Sequence, residues 1–156
     1  MTTLTCPIPP TLVPMIKVRQ VRWPAQAAEL EKIREQVFIR EQQVPPHLEW
    51  DGLEQESQHF LAYFNDRPVG VARLVKHHKL TRMAVLKNYR QQGIGSALIK
   101  SVCRAAMHAG MTEIVADAQI AALGFYLNHE FSVTGSSFYD AGILHKPVVK
   151  KLGFAQ

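Results

Sequence analysis

Apolar and polar side chains change rhythm several times along this chain, and each change marks an element. Ile16, Val18 and Val21 alternate with Lys17, Arg19 and Arg22, so Met15–Val21 reads as a half-buried strand. Ala25–Arg40 sets Ala28, Ile33, Val37 and Phe38 at helical spacing, with Pro24 placed where a helix start tolerates it. Gln43–Gln58 contains Pro45, Pro46, Gly52 and many acids, and reads as a loop. His59–Asn65 and Pro68–Val75 are β-prone runs joined by Asn65-Asp66-Arg67, the pattern of a hairpin with a short polar turn. Lys79–Leu86 is a further strand. Asn88–Gly95 then opens a helix reaching His108, with Ile94, Leu98, Val102 and Ala105 on one face and Ala109-Gly110 at its end. Thr112–Ala116 reads as a strand and Gln119–His129 as a short helix. Phe131–Thr134 and Ile143–Lys151 are closing strands around a Gly135–Gly142 connection. The order β-α-β-β-β-α-β-α-β-β predicts an α+β domain, a mixed sheet covered by helices, and not a regular βαβ winding.

The 156 residues, 47% hydrophobic and 20% charged, fit one globular domain over residues 15–156. Residues 1–14, broken by Pro7, Pro9, Pro10 and Pro14, read as a flexible tail, and Met15 offers a second starting methionine. That tail lacks the basic n-region of a signal peptide, and no segment approaches membrane-spanning length. Of the two cysteines, Cys103 falls on the apolar side of the long helix as a core residue, and Cys6 lies in the tail. Neither belongs to a metal-ligand pattern. These features predict a cytoplasmic protein without a membrane partner. A formal charge of +5 and pI near 9.4 suggest a polyanionic partner. The basic residues are scattered, without the aromatic interleaving of single-strand binders, so nucleic acid is not expected and a phosphate-bearing cofactor fits as well.

The place for such a cofactor is the turn between Leu86 and the long helix. The first turn of a helix leaves N–H groups unpaired at the positive end of its dipole, and Gly93 and Gly95 let a phosphate approach the backbone. A P-loop would need a Gly-Lys-Ser/Thr ending that is absent here. A dinucleotide fingerprint would need Gly or Ala where Leu98 stands, and the upstream hairpin spoils its βαβ context. A glycine-rich cap serving only tight packing is the remaining reading.

The longer stretch Thr81–Leu98 resembles the central motif of the GNAT superfamily of acyl-CoA-dependent N-acyltransferases. The motif's Q/R-x-x-G-x-G/A core is matched by Arg90-Gln91-Gln92-Gly93-Ile94-Gly95. A second match follows at Gln119–Phe131, with Tyr126 five residues before Phe131; Gln119 replaces the family's Asn and Glu130 its Gly. Glu130 would deny that turn an unhindered left-handed residue. Val37–Pro45, Glu49-Trp50-Asp51-Gly52, His59 and Gly142-Ile143-Leu144-His145 are similar to the ElaA-like and YjcF-like subgroup.

The resemblance implies a mostly antiparallel sheet of about six or seven strands flanked by about four helices, with a splayed parallel pair at its centre. It also implies an acetyl-CoA-dependent N-acetyltransferase acting on a primary amine, small or protein-borne, by direct attack, with no metal. Met83, Ala84 and Val85 would line the pantetheine. Arg90, Gln91, Gln92, Gly93, Ile94, Gly95 and Ser96 would hold the pyrophosphate, and Gln119 would complete the cofactor site. Tyr126 would protonate the departing thiolate. The catalytic base would be Glu41, whose helix borders the acceptor cleft in the family, with Glu49, Asp51, Glu54, His59 and His145, or water relayed from any of these, as alternatives. The acids of Glu49–Glu56 would attract a cationic amine. Family habit suggests a homodimer, and a non-catalytic acyl-CoA sensor on the same fold is the rival reading.

Overall fold

The computed structural model describes residues 13–153. Cys6 and nearly all of the tail expected over residues 1–14 lie outside them. The elements run β1 (Ile16–Val21), α1 (Trp23–Arg34), α2 (Pro46–Glu49), β2 (Ser57–Phe64), β3 (Arg67–Val75) and β4 (Lys79–Val85). They continue through α3 (Ile94–His108), β5 (Glu113–Gln119), α4 (Leu123–Asn128), β6 (Ser132–Val133), β7 (Phe138–Asp140) and β8 (Ile143–Lys151). One 8-stranded sheet has the order β1-β2-β3-β4-β5-β8-β6, with β7 also paired to β8.

Every pairing in this sheet is antiparallel except β4 with β5. Those two strands pair only at Lys79↔Val115 and Leu80↔Ala116. Beyond that point they diverge, leaving backbone on their facing edges without a ladder partner. A bulge in β4 accompanies the divergence. Its register against β3 slips between Val71 and Arg73, and Arg82 takes a left-handed φ of 51°.

Alternation along the strands splits the core into two layers. Phe60, Ala62 and Leu74 face Ile94, Leu98, Ile99 and Val102 of α3. Leu61, Val71 and Ala84 face Leu30 and Ile33 of α1 and Val37 and Phe38 beyond it. Each fully buried aliphatic side chain of this kind contributes roughly 1.5–3 kcal/mol, which fixes both helices against the sheet. Cys103 is half-buried at the margin of the first layer, not inside it.

Three elements differ from their expected form. The first long helix is α-helical only to Arg34 and continues as a π-helix over Glu35–Glu41, ending with Gln42 N–H bonded to Val37 O. The wider turn keeps Val37 and Phe38 inward, so the apolar spacing gives no warning of it. The Gln43–Gln58 loop contains the single-turn α2. The supposed connection Gly135–Gly142 contains β7, all of whose residues are exposed. The hairpin turn is as expected, with Asn65 and Asp66 both left-handed (φ 49° and 67°).

Candidate active site

Where β4 and β5 part, a cleft of about 620 Å³ opens between them, the π-helix, α4 and the β7–β8 turn. Its wall includes Met83, Ala84, Val85, Glu41, Arg90, Gln119 and Tyr126. The structure therefore gathers these seven expected site residues around one cleft, and four of them make contacts other than those expected.

The turn after β4 carries the clearest binding feature. Gln91 and Gly93 are both left-handed (φ 61° and 89°), and Gly93 is the N-cap of α3. Among the described residues, no protein acceptor is bonded to the N–H groups of Gln91, Gln92, Gly93, Ile94, Gly95 or Ser96; the first helical bond is Ala97 N–H to Gly93 O. A row of free amides at the positive end of a fifteen-residue helix is a cradle for an anion. The Ser96 side chain does not share this role, since its hydroxyl lies 2.9 Å from His129 Nε2.

Arg90 points elsewhere. Its Nε donates to Val85 O at 2.8 Å, and its two terminal nitrogens donate to both oxygens of Glu41 at 2.7 and 2.6 Å. This bidentate pair corrects two expectations. Arg90 is committed to β4 and the π-helix and not to a phosphate. Glu41 is held below the usual carboxylate range, first by its hydrogen bond from Arg90, which makes it a poor proton acceptor.

Along β4, Leu86 N–H donates to Val69 O. Val85 C=O, on the same trans peptide, therefore faces the opened edge, where Arg90 takes it. The Ala84 carbonyl faces β3, 3.3 Å from where a Cβ on Gly70 would sit. Ala84 thus belongs to the β3 ladder and not to the free edge. Gln119 is also engaged: its amide and that of Gln42 bond reciprocally at 2.9 and 3.3 Å, tying the end of the π-helix to the end of β5.

Tyr126 is buried in the cleft wall, edge-on to Phe125 and Phe131 at 5.5 and 5.2 Å. Burial pushes its phenol up to about 12, so it keeps its proton throughout the physiological range. The turn that closes α4 keeps its left-handed residue even though the side chain is glutamate. Glu130 sits at φ 68°, costing about 1–2 kcal/mol that a glycine would avoid.

The acidic loop is not an open lure for cations. Arg34 Nε donates to Glu49 at 2.7 Å and Arg34 Nη2 to Glu54 at 3.1 Å. Arg73 binds both oxygens of Asp51 at 2.8 and 2.7 Å and also reaches Glu54. Arg82 reaches Glu49 at 3.0 Å and Asp51 at 3.2 Å. Burial would raise the Asp51 carboxyl, but Arg73 and Arg82 hold it far below the ordinary range. Three arginines thus neutralise three acids beside the cleft. No local signal in the sequence joins Arg34, Arg73 and Arg82 to that loop, because they come from three different elements.

The sequence model of the acetyltransferase (GNAT) domain matches residues 25–152. The uncharacterised N-acetyltransferase YjcF of Bacillus subtilis is 38% identical over 122 residues, covering 76% of this chain and 87% of its own. YyaT of the same organism, itself uncharacterised, is 32% identical over 143 residues, covering 88% of this chain and 97% of its own. The crystal structure of Escherichia coli ElaA superposes with a TM-score of 0.77 at 22% identity, covering 88% of this chain and all of that one, a likeness of fold. With its parted central strands, its amide-lined turn and a domain match across most of its length, the chain belongs to the GNAT acetyltransferase family.

Proposed function

We propose that this protein is an acetyl-CoA-dependent N-acetyltransferase that moves an acetyl group to a primary amine by direct attack on the thioester. The row of unpartnered N–H groups from Gln91 to Ser96, directly after the strand that parts from β5, carries this reading. Those amides would hold the diphosphate, with Gly93 supplying the φ of 89° that turns them together. Met83 and the Val85 N–H would meet the pantetheine amides along the open edge. Arg90 would position the turn through its bonds to Val85 and Glu41 and would not touch phosphate.

Tyr126 would donate to the sulfur as the C–S bond breaks. A neutral phenol in a buried wall has a proton to give and keeps it until the sulfur carries charge. On the acceptor side, Asp140 is the one cleft carboxylate without an ion-pair partner among the described residues, whereas Asp117 faces Lys79 at 3.7 Å. That favours a cationic amine, either small or on a protein.

Acetyl-CoA is expected to raise the melting temperature, and thiol release is expected with members of an amine panel. Tyr126→Phe should lower turnover by about 10²–10⁴-fold while leaving the acetyl-CoA stabilisation in place. Unchanged turnover reduces Tyr126 to packing. Failure of every CoA thioester to stabilise the protein removes the whole reading. Stabilisation without any thiol release identifies a binding module on the same fold.

A further inference from the structure

We infer that His145 is the catalytic residue that takes the proton from the acceptor amine. The assignment rests on the transferase reading above and names the base that reading lacks.

An alkylammonium must lose a proton before its nitrogen can attack a carbonyl. Among the described residues, the cleft wall contains five carboxylates and one imidazole: Glu41, Glu49, Asp51, Asp117, Asp140 and His145. Four of the carboxylates are occupied, Glu41 by Arg90, Glu49 by Arg34 and Arg82, Asp51 by Arg73 and Arg82, and Asp117 by Lys79. Asp140 lies exposed on β7, with no contact that fixes its carboxylate among the described residues.

His145 differs from all of these in how it is held. It sits on β8, between Gln119 of β5 and Phe138 of β7, and is 8% exposed. Its ring stacks on Phe138 with centroids 5.8 Å apart and planes 18° from parallel. Nδ1 lies 2.7 Å from the Ile143 carbonyl. A carbonyl can only accept, so Nδ1 bears the ring proton and Nε2 keeps a free lone pair. Nε2 has no protein partner among the described residues, and the residue lines the same cleft as Tyr126. Stacking and tautomer together hold the ring of a cleft-lining residue with one nitrogen left as an acceptor, the arrangement a general base requires.

The proton balance closes. Nε2 takes a proton from the ammonium, and the freed nitrogen pair forms the C–N bond at the thioester carbonyl. The C–S pair leaves on sulfur, which receives the adduct's surplus N–H proton by way of the Tyr126 hydroxyl and departs as thiol. His145 then returns its proton to solvent.

The test uses two variants and two kinds of amine. His145→Asn keeps a donor to Ile143 O and removes Nε2, whereas His145→Gln keeps a polar tip that cannot take a proton. The alkylamine is the fastest of n-butylamine, putrescine and Nα-acetyl-lysine with wild-type protein. The comparison amine is O-benzylhydroxylamine, which is already unprotonated at neutral pH. Both variants should still be stabilised by acetyl-CoA, lose about 10²–10⁴-fold in kcat with the alkylamine, and lose only a few-fold with O-benzylhydroxylamine. Equal losses on both amines, or rescue by His145→Gln, overturn the assignment and leave His145 a positioning residue. Alkylamine turnover that stays within a few-fold of wild type in both variants overturns it outright. A wild-type protein stabilised by acetyl-CoA that acetylates none of these amines removes the transferase reading, and the assignment with it.

Discussion

Arg34 is a full charge with 1% of its surface exposed, reached by Glu49 and Glu54 and stacked 4.8 Å from the Trp50 ring. Its Nη1 is sealed from solvent without a hydrogen-bond partner, so the pairing already costs one desolvated N–H. Such a site adds little net stability while intact, yet removing one partner strands the others in a low-dielectric interior. Arg34→Ala should therefore destabilise the protein by about 3–5 kcal/mol in urea unfolding, far more than the loss of an exposed ion pair such as Arg40–Glu35. A cost under about 1 kcal/mol would mean that Glu49 and Glu54 regain water when Arg34 is removed.

At the scale of elements, the parts that read correctly are those whose signal is local. The apolar face of α3 repeats at helical spacing, and the β2–β3 hairpin announces itself by two turn residues that accept positive φ. The π-helix does not, because the extra residue per turn leaves Val37 and Phe38 inward. Nor does β7, whose three exposed residues sit in a Gly- and Ser-rich stretch and gain strand form from β8 alone. Within the site, the glycine-rich start of α3 is legible in the sequence itself, whereas Tyr126 is singled out only by the resemblance to the GNAT motif. The Glu41–Arg90 and Gln42–Gln119 pairs are not legible there, because they join positions 49 and 77 residues apart.

The two glycines of the turn should separate binding from chemistry. At Gly93 an added Cβ meets nothing closer than Ile16 at 3.8 Å, so alanine there suffers only from the φ of 89°. Gly93→Ala should cost about 1–2 kcal/mol and weaken the acetyl-CoA thermal shift by turning the amides apart. At Gly95 the Cβ would stand 3.0 Å from the Phe125 ring, which touches Tyr126 edge-on. Gly95→Ala should cost about 1–3 kcal/mol and reduce kcat more than acetyl-CoA stabilisation, by displacing Phe125 against Tyr126. Identical effects of the two substitutions on binding and turnover would contradict that division.

For the molecule as a whole, the shifted groups dictate how stability follows pH. Burial keeps His59 neutral by lowering its pKa from the ordinary value near 6.5, although its Nε2 lies 2.7 Å from Glu54 O and partly opposes the shift. Between that lowered value and 6.5 the unfolded chain binds a proton that the folded protein refuses, so stability is lost as pH falls through this window. Glu41 and Asp51, lowered from 4.5 and 3.8, favour the fold above those values, and that stability disappears as pH falls through their folded pKa values. Glu49 runs the other way. Burial raises it above 4.5 against the pull of Arg82 and Arg34, so its share of stability declines as pH rises through its folded value. The urea midpoint should consequently fall in two acid steps, one starting below about pH 6.5 and one below about pH 4, with a weaker slope between them. His59→Gln retains an amide that can donate to Glu54 O but cannot titrate, so it should flatten the first step and leave the second unchanged. If the variant and the wild type lose stability in parallel from neutral pH downward, the first step belongs to another group, and His129, lowered by burial and by Lys150 and Lys100, is the next to replace.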